Sequence, residues 1–298
     1  MDQMSETAYL ACRLCPRGCG ADRLHGERGV CGMGAVPILA HTMLHMWEEP
    51  FLSGTRGSGA VFFSGCSLGC VYCQNRAISS GETGEPVDEE ALADIFLSLA
   101  RRGAHNLNLV TASHFLPTVS RALRTAKARG LAIPVVYNTS GYETEEALSA
   151  LEGLVDIYLT DLRYARVESA SRYSDAPDYP YVARVAIRKM VAQTGAPLLD
   201  GNGMLKKGTV VRILLLPSHL IEAKMNVKHL HDTYGDAVYL SLMRQYTPMT
   251  GTPPPLDRPV SDSEYLSLVR YAASLGVVHA FTQEKGAIGE SFIPDFGE

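Results

Sequence analysis

Six apolar runs, at residues 60–64, 106–111, 133–137, 155–160, 210–216 and 237–243, alternate with segments of helical period and constrain this chain more than any other feature. A repeated strand-then-helix pattern builds βα units, and βα units in series make a parallel sheet. The runs are nearly continuous in Val, Ile, Leu and Tyr, which marks strands buried on both faces. The helices carry their own punctuation. Asp88 is placed to cap a helix over 88–102 with Leu92, Ile95, Phe96 and Leu99 on one face. Segments 116–129, 181–194 and 222–234 stop at Gly130, Gly195 and Gly235, where a left-handed residue ends a helix. Ser261-Asp262-Ser263-Glu264 is a capping box, Asp200-Gly201 predicts a tight hairpin, and 252–256 reads as a stiff proline-rich connection. The predicted fold is α/β, an open partial TIM-type (β/α)6 barrel over residues 50–298.

The bulk properties exclude several classes. With 298 residues and 46% hydrophobic content the chain can bury a full core. A net charge of -5 gives no basic stripe for nucleic acid. No apolar run is long enough to span a bilayer, and the acidic start lacks the basic and apolar regions of a secretory leader, so no membrane partner and a cytoplasmic location are expected.

Seven cysteines in a chain of this size, an odd number with no leader, point to metal rather than disulfides. They divide into three and four. Cys66, Cys70 and Cys73 stand at C-x3-C-x2-C on the loop after the first predicted strand, the end of a βα barrel where functional residues gather. Three thiolates suit a cubane iron–sulfur cluster with one iron open to a small molecule. Structural zinc wants four ligands, and no fourth Cys or His lies within local spacing; a catalytic zinc on three thiolates is the rarer alternative. Cys12, Cys15, Cys19 and Cys31 form a second set at C-x2-C-x3-C-x11-C, to which structural zinc and an auxiliary iron–sulfur cluster are both suited. Residues 1–49 lack clear periodicity and read as a small cysteine-rich metal-binding extension held together by that metal.

Phe62-Phe63-Ser64-Gly65 leading into the three-cysteine motif, with Tyr72 before its last cysteine, resembles the signature of the radical S-adenosylmethionine superfamily. Within it the chain is similar to uncharacterised relatives of pyruvate formate-lyase activating enzyme. The resemblance implies a 4Fe–4S cluster whose open iron chelates the amino and carboxylate groups of S-adenosylmethionine. It also implies an electron from a donor such as flavodoxin or ferredoxin, and reductive cleavage to a 5′-deoxyadenosyl radical that abstracts hydrogen. The substrate is then a glycine of a partner enzyme, as for the activating enzymes, or a peptide or small molecule.

The same resemblance suggests cofactor contacts. Tyr72 matches a position beside the adenine. Thr111-Ala112-Ser113-His114 stands where the activating enzymes have a Gly-Gly-Glu-type motif, leaving Ser113 or His114 to replace the amino contact, with capping of the next helix as the other role for His114. Asn138-Thr139-Ser140-Gly141 is similar to an Asp-Thr-Asn-Gly-like segment, Asn138 replacing the acid. Asp161-Leu162-Arg163 is similar to Asp-Leu-Lys; a guanidinium fork at Arg163 suits a carboxylate, and an Asp–Arg pair tying loop ends is the alternative. Arg212 lies within a strand, where its charge needs an anionic partner, a cofactor carboxylate or ribose being the expected contact. Arg244, Gln245 and Tyr246 follow the sixth strand at the same rim, Tyr246 as a hydrogen-bonded core residue and Gln245 toward the cofactor. Segment 163–179 reads as a specificity loop. The competing function is an iron–sulfur or zinc scaffold or electron carrier without radical chemistry, for which the altered 111–114 segment is the best support.

Overall fold

The computed structural model describes residues 5–283, so the outer ends of the segments read as 1–49 and 50–298 lie outside the described residues. The strands are β1 (Ile38–His45), β2 (Ser58–Phe63), β3 (Glu85–Pro86), β4 (Leu107–Val110), β5 (Val135–Thr139), β6 (Ile157–Asp161), β7 (Leu198–Leu199), β8 (Leu205–Leu214), β9 (Tyr239–Met243) and β10 (Ala280–Thr282). The helices are α1 (Pro50–Ser53), α2 (Arg76–Ser79), α3 (Glu89–Arg101), α4 (Leu116–Ala128), α5 (Glu145–Ala150), α6 (Val167–Ser174), α7 (Tyr179–Thr194), α8 (Leu220–Tyr234) and α9 (Asp262–Ser274).

The six predicted strands are β2, β4, β5, β6, β8 and β9, adjacent in that order and all parallel. β10 adds a further parallel strand at one edge, and β1 and β3 add antiparallel ones at the other, so among the described residues the sheet does not close. This is an α/β fold with a mostly parallel central sheet, consistent with a partial TIM-type barrel.

The runs conceal a period of two. Leu107, Leu109, Val135, Tyr137 and Tyr158 face an outer core with α3, α4 and α5, while Val211, Ile213, Leu240 and Leu242 face a second outer core with α7, α8 and α9. The alternate residues Val136, Ile157, Leu159 and Val210 meet Phe51 and Leu52 on the inner side. Apolar side chains therefore fill one end of the interior. Further along the same strands the inward series continues as Asn138, Asp161 and Arg212, and the interior becomes polar at the carboxyl ends.

Local sequence sets the joints as anticipated. Asp88 accepts from the Ala91 N–H, Ser261 and Glu264 close the capping box, and Gly130, Gly195 and Gly235 have φ of 99°, 67° and 51°. Asp200 Oδ1 accepts from the N–H groups of Asn202 and Met204 in the turn joining β7 to β8.

Three of the differences from expectation have a local physical reason. β1 lies inside the segment read as lacking periodicity; its half-buried Ile-Leu-Ala-His-Thr-Met-Leu-His sequence carries neither alternation nor a continuous apolar run. β5 begins at Val135 rather than 133, because Pro134 has no N–H for the ladder and contributes only its carbonyl, to Leu107. Segment 163–179 holds α6 rather than an open loop, anchored by buried Ala170, Tyr173 and Tyr179.

Candidate active site

A cavity of about 250 Å³ opens at the carboxyl ends of the parallel strands. Cys66, Cys70 and Cys73 line one side of it. Facing them are Thr111, Asn138, Thr139, Asp161, Arg163, Arg212 and Gln245 from the ends of β4, β5, β6, β8 and β9.

The loop carrying the thiols is fixed by its backbone. Gly65 has φ of +83°, and a Cβ there would lie 2.4 Å from Met33 Cγ and 2.7 Å from the Cys31 carbonyl oxygen, so only glycine lets the N-terminal segment pack this closely. Leu68 and Tyr72 are buried anchors, and the Val71 N–H donates to the Tyr173 carbonyl at 2.9 Å. Arg17, between two N-terminal cysteines, clamps the loop to the end of α6. Its guanidinium donates to the carbonyls of Ser67 (2.8 Å), Leu68 (3.2 Å), Ser174 (2.7 Å) and Asp175.

Burial pushes the Cys66 thiol up to about 11 and raises Cys73, so a positively charged centre is what would draw them out as thiolates. Among the described residues no three Cys, His, Asp or Glu groups are placed to hold one metal ion. The donor set lining the cavity is three thiols of one loop, the set that a cluster with one open iron takes.

Arg163 donates to Asp161 at 2.5 Å, its guanidinium stands 3.7 Å from Cys70 Sγ, and its buried Nε has no partner. The Arg163 side chain lines the cavity beside the thiols, where its positive charge suits an anionic group. The Asp161–Arg163 pairing anticipated from sequence is thus present without exhausting the guanidinium.

Arg212 lines the cavity, as expected for a cofactor contact, and is paired within the chain. Its Nε donates to Glu49 at 2.8 Å, and its Nη2 reaches Glu49 at 2.7 Å and also Glu48. This chain itself supplies an anionic partner for the buried guanidinium. Burial alone would raise Glu49, but Arg212 outweighs it and holds the carboxyl below its ordinary range. Glu48 also accepts from Asn108 Nδ2 at 2.8 Å and Asn138 Nδ2 at 3.4 Å, joining Asn138 to the same polar floor. Neither glutamate was singled out from sequence. Glu49-Pro50 marks a helix start, with Pro at the first turn of α1, but says nothing about a partner on β8.

The 111–114 segment also departs from expectation. Thr111 lines the cavity with φ of 60°, and the chain then enters a 3₁₀ turn, Ser113–Phe115, that carries Ser113 and His114 away from it. Ser113 donates to Glu143 and accepts from Tyr137 OH at 3.2 Å. His114 Nε2 is 2.7 Å from the Ser64 carbonyl, which it holds at the end of β2; it neither reaches the cavity nor caps α4. Burial lowers His114 to about 4, leaving it neutral at pH 7.

Tyr72 reaches the cavity, while Thr139 lines it with its hydroxyl proton committed to Glu143. Gln245 is fixed by Gln283 at 2.8 Å and accepts at its backbone carbonyl from Gln74 at 2.9 Å, tying the thiol loop to the end of β9. Arg244 instead pairs with Asp262, and Tyr246 donates to the Leu256 carbonyl at 2.5 Å as a core residue.

Glu143 is buried, and that burial, against donors from Ser113 and Thr139, raises its carboxyl from 4.5 to about 7. Because the folded state keeps the proton that the unfolded state releases above 4.5, Glu143 lowers stability progressively between pH 4.5 and 7 and by a constant amount above that. At 1.36 kcal/mol per pH unit the cost is about 3 kcal/mol. Urea unfolding of wild type and Glu143→Gln at pH 4.5 and pH 8 should show the variant gaining about that much relative to wild type as pH rises.

The four N-terminal cysteines differ in burial. Cys12, Cys15 and Cys31 are buried and Cys19 is exposed. A Cβ on Gly29 would touch Cys31 Sγ at 3.2 Å and Cys19 Sγ at 3.4 Å. Burial pushes Cys15 up to about 12 and raises Cys31, while hydrogen bonds from the Ala21 and Val30 backbone outweigh burial at Cys19 and lower it. Arg23, itself buried, places Nη1 3.5 Å from Cys12 Sγ and gives its other donors to the Gly34 carbonyl.

Comparison with known proteins adds two findings. The chain is 27% identical to the uncharacterized protein MJ0674 of Methanocaldococcus jannaschii over 255 residues, which is 83% of this chain and 69% of that one. Residues 60–174 match the sequence model of the Radical SAM superfamily, a span that runs from within β2 through the three-thiol loop to the end of α6. The chain contains a Radical SAM superfamily domain.

Proposed function

We propose that Cys66, Cys70 and Cys73 hold a 4Fe–4S cluster on the cavity wall, that S-adenosylmethionine binds beside it, and that the chain is a radical enzyme abstracting hydrogen from a substrate. The reading is carried by the three thiols of one loop lining the same cavity as the Arg163 side chain, whose guanidinium stands 3.7 Å from Cys70 Sγ. When bound, the cluster and S-adenosylmethionine supply one-electron cleavage of the sulfonium bond and a 5′-deoxyadenosyl radical.

The work of the chain is to bind, orient and keep out water. Arg163, aligned by Asp161, takes the carboxylate of S-adenosylmethionine through a charge-assisted hydrogen bond. Tyr72 walls the adenine side. Thr111 takes the place assigned from sequence to Ser113 or His114, since it is the residue of that segment on the cavity surface. Asn138 and Gln245 offer polar contacts, while Phe62, Leu214 and Met243 line apolar wall that limits water at the reacting centre. Arg212 holds the floor through Glu48 and Glu49.

The finer reading follows the activating enzymes: an electron from flavodoxin or ferredoxin, and hydrogen taken from a glycine of a partner enzyme. Cys12, Cys15, Cys19 and Cys31 form a second metal site, with Arg23 as counter-charge to its thiolates. Iron is its expected occupant, and stoichiometric zinc there would refute that assignment. Adding S-adenosylmethionine to anaerobically reduced protein should change the electron paramagnetic resonance spectrum of the cluster. An unchanged spectrum would count against an open iron facing this cavity.

A further inference from the structure

Cys70 differs from the other two loop thiols in what surrounds its sulfur. Ser174 Oγ, at the end of α6, lies 3.0 Å from Cys70 Sγ. Tyr164 OH lies 2.7 Å from Ser174 Oγ, and Tyr72 OH lies 2.8 Å from Tyr164 OH. Three buried hydroxyls thus run in file to one sulfur.

The proton inventory fixes their direction. Each hydroxyl has one proton to give, whereas a thiolate only accepts. Once Cys70 is a thiolate, Ser174 spends its proton on Sγ; Tyr164, 2.7 Å from Ser174 Oγ and 4.0 Å from Sγ, gives its proton to the nearer oxygen, and Tyr72 donates to Tyr164. Behind Tyr72 stands Arg163, whose positive charge lies close to both the phenol and Cys70. The chain is therefore polarised from a cation toward the sulfur, and hydrogen bonds in file strengthen one another.

Resting on the assignment of Cys70 as a cluster ligand, we propose that Ser174, oriented by Tyr164 and Tyr72, is a positioning residue that raises the reduction potential of the cluster. Hydrogen bonds to ligand sulfur stabilise the added electron, because the reduced state places more negative charge on sulfur. Cys66 is met by the backbone N–H groups of Leu68, at 3.4 Å, and Gly69, and Cys73 by Ser79 and the Asn75 backbone, so what sets Cys70 apart is that its hydroxyl donor is backed by two further buried hydroxyls. Arg17 extends the arrangement. Its donation to the Ser174 carbonyl ties the hydroxyl's position to the N-terminal thiol segment.

The test is a redox titration of the reconstituted full-length protein, following the signal that responds to S-adenosylmethionine so that the second metal site is not scored. Ser174→Ala should shift the midpoint to more negative potential, by the equivalent of about a tenfold loss of reduced cluster at fixed poise, or about 59 mV for one electron. Ser174→Thr, which keeps the hydroxyl, should restore most of it. Tyr72→Phe should move the midpoint the same way by a smaller amount, since it removes only the distant donor. A midpoint in Ser174→Ala that equals wild type, or rises, would overturn the proposal while leaving the ligand assignment standing. A cluster that persists in Cys70→Ala with the same midpoint would overturn both.

Discussion

Replacing Arg212 by methionine is expected to destabilise the fold by about 3–5 kcal/mol, because it leaves two nearly buried carboxylates without their cation. The Glu48 and Glu49 side chains are only 7% and 5% exposed, and Arg212 is the cation facing both. The methionine has similar length, so lost packing contributes little and the charge dominates. Urea unfolding at pH 7 measures the loss. Arg212→Met combined with Glu48→Gln and Glu49→Gln should recover a large part of it, since a buried amide costs far less than an uncompensated carboxylate. A single variant within 1 kcal/mol of wild type would mean that the glutamates are not held as charges by Arg212.

Cys66→Ala, Cys70→Ala and Cys73→Ala should each remove one cubane of iron and sulfide, while metal bound at Cys12, Cys15, Cys19 and Cys31 stays. A cubane that has lost one of only three protein ligands has too few left to be retained, so the effect should be all or none rather than graded. Iron, sulfide and zinc analysis of anaerobically prepared protein distinguishes the two sites. Folding should survive, because each alanine sits on a loop wall and leaves the Leu68 and Tyr72 anchors in place.

The parallel sheet was legible because strands covered on both faces read as unbroken apolar runs. Asn138 and Asp161 just past two of the runs, and Arg212 within a third, stand where the interior turns toward the cavity. β1 was not legible: half-buried along nearly its whole length, it shows neither alternation nor continuity. The partners of Arg212 were out of reach for a different reason, lying 163 and 164 residues away in sequence. The demand for an anion could be read locally, but its source could not. Ser113 and His114 were placed in the site by alignment to a motif, whereas the positive φ of Thr111 and the turn after it aim them backward at Glu143 and Ser64. A change of one backbone conformation decides which of four consecutive residues meets the cavity.

The most direct test of the central claim is the assay of 5′-deoxyadenosine after anaerobic reconstitution, reduction and addition of S-adenosylmethionine. Wild type should form it, and the three loop-cysteine variants should fall to background. Equal yields from all four proteins, or a reduced wild-type cluster that forms none, would contradict the account.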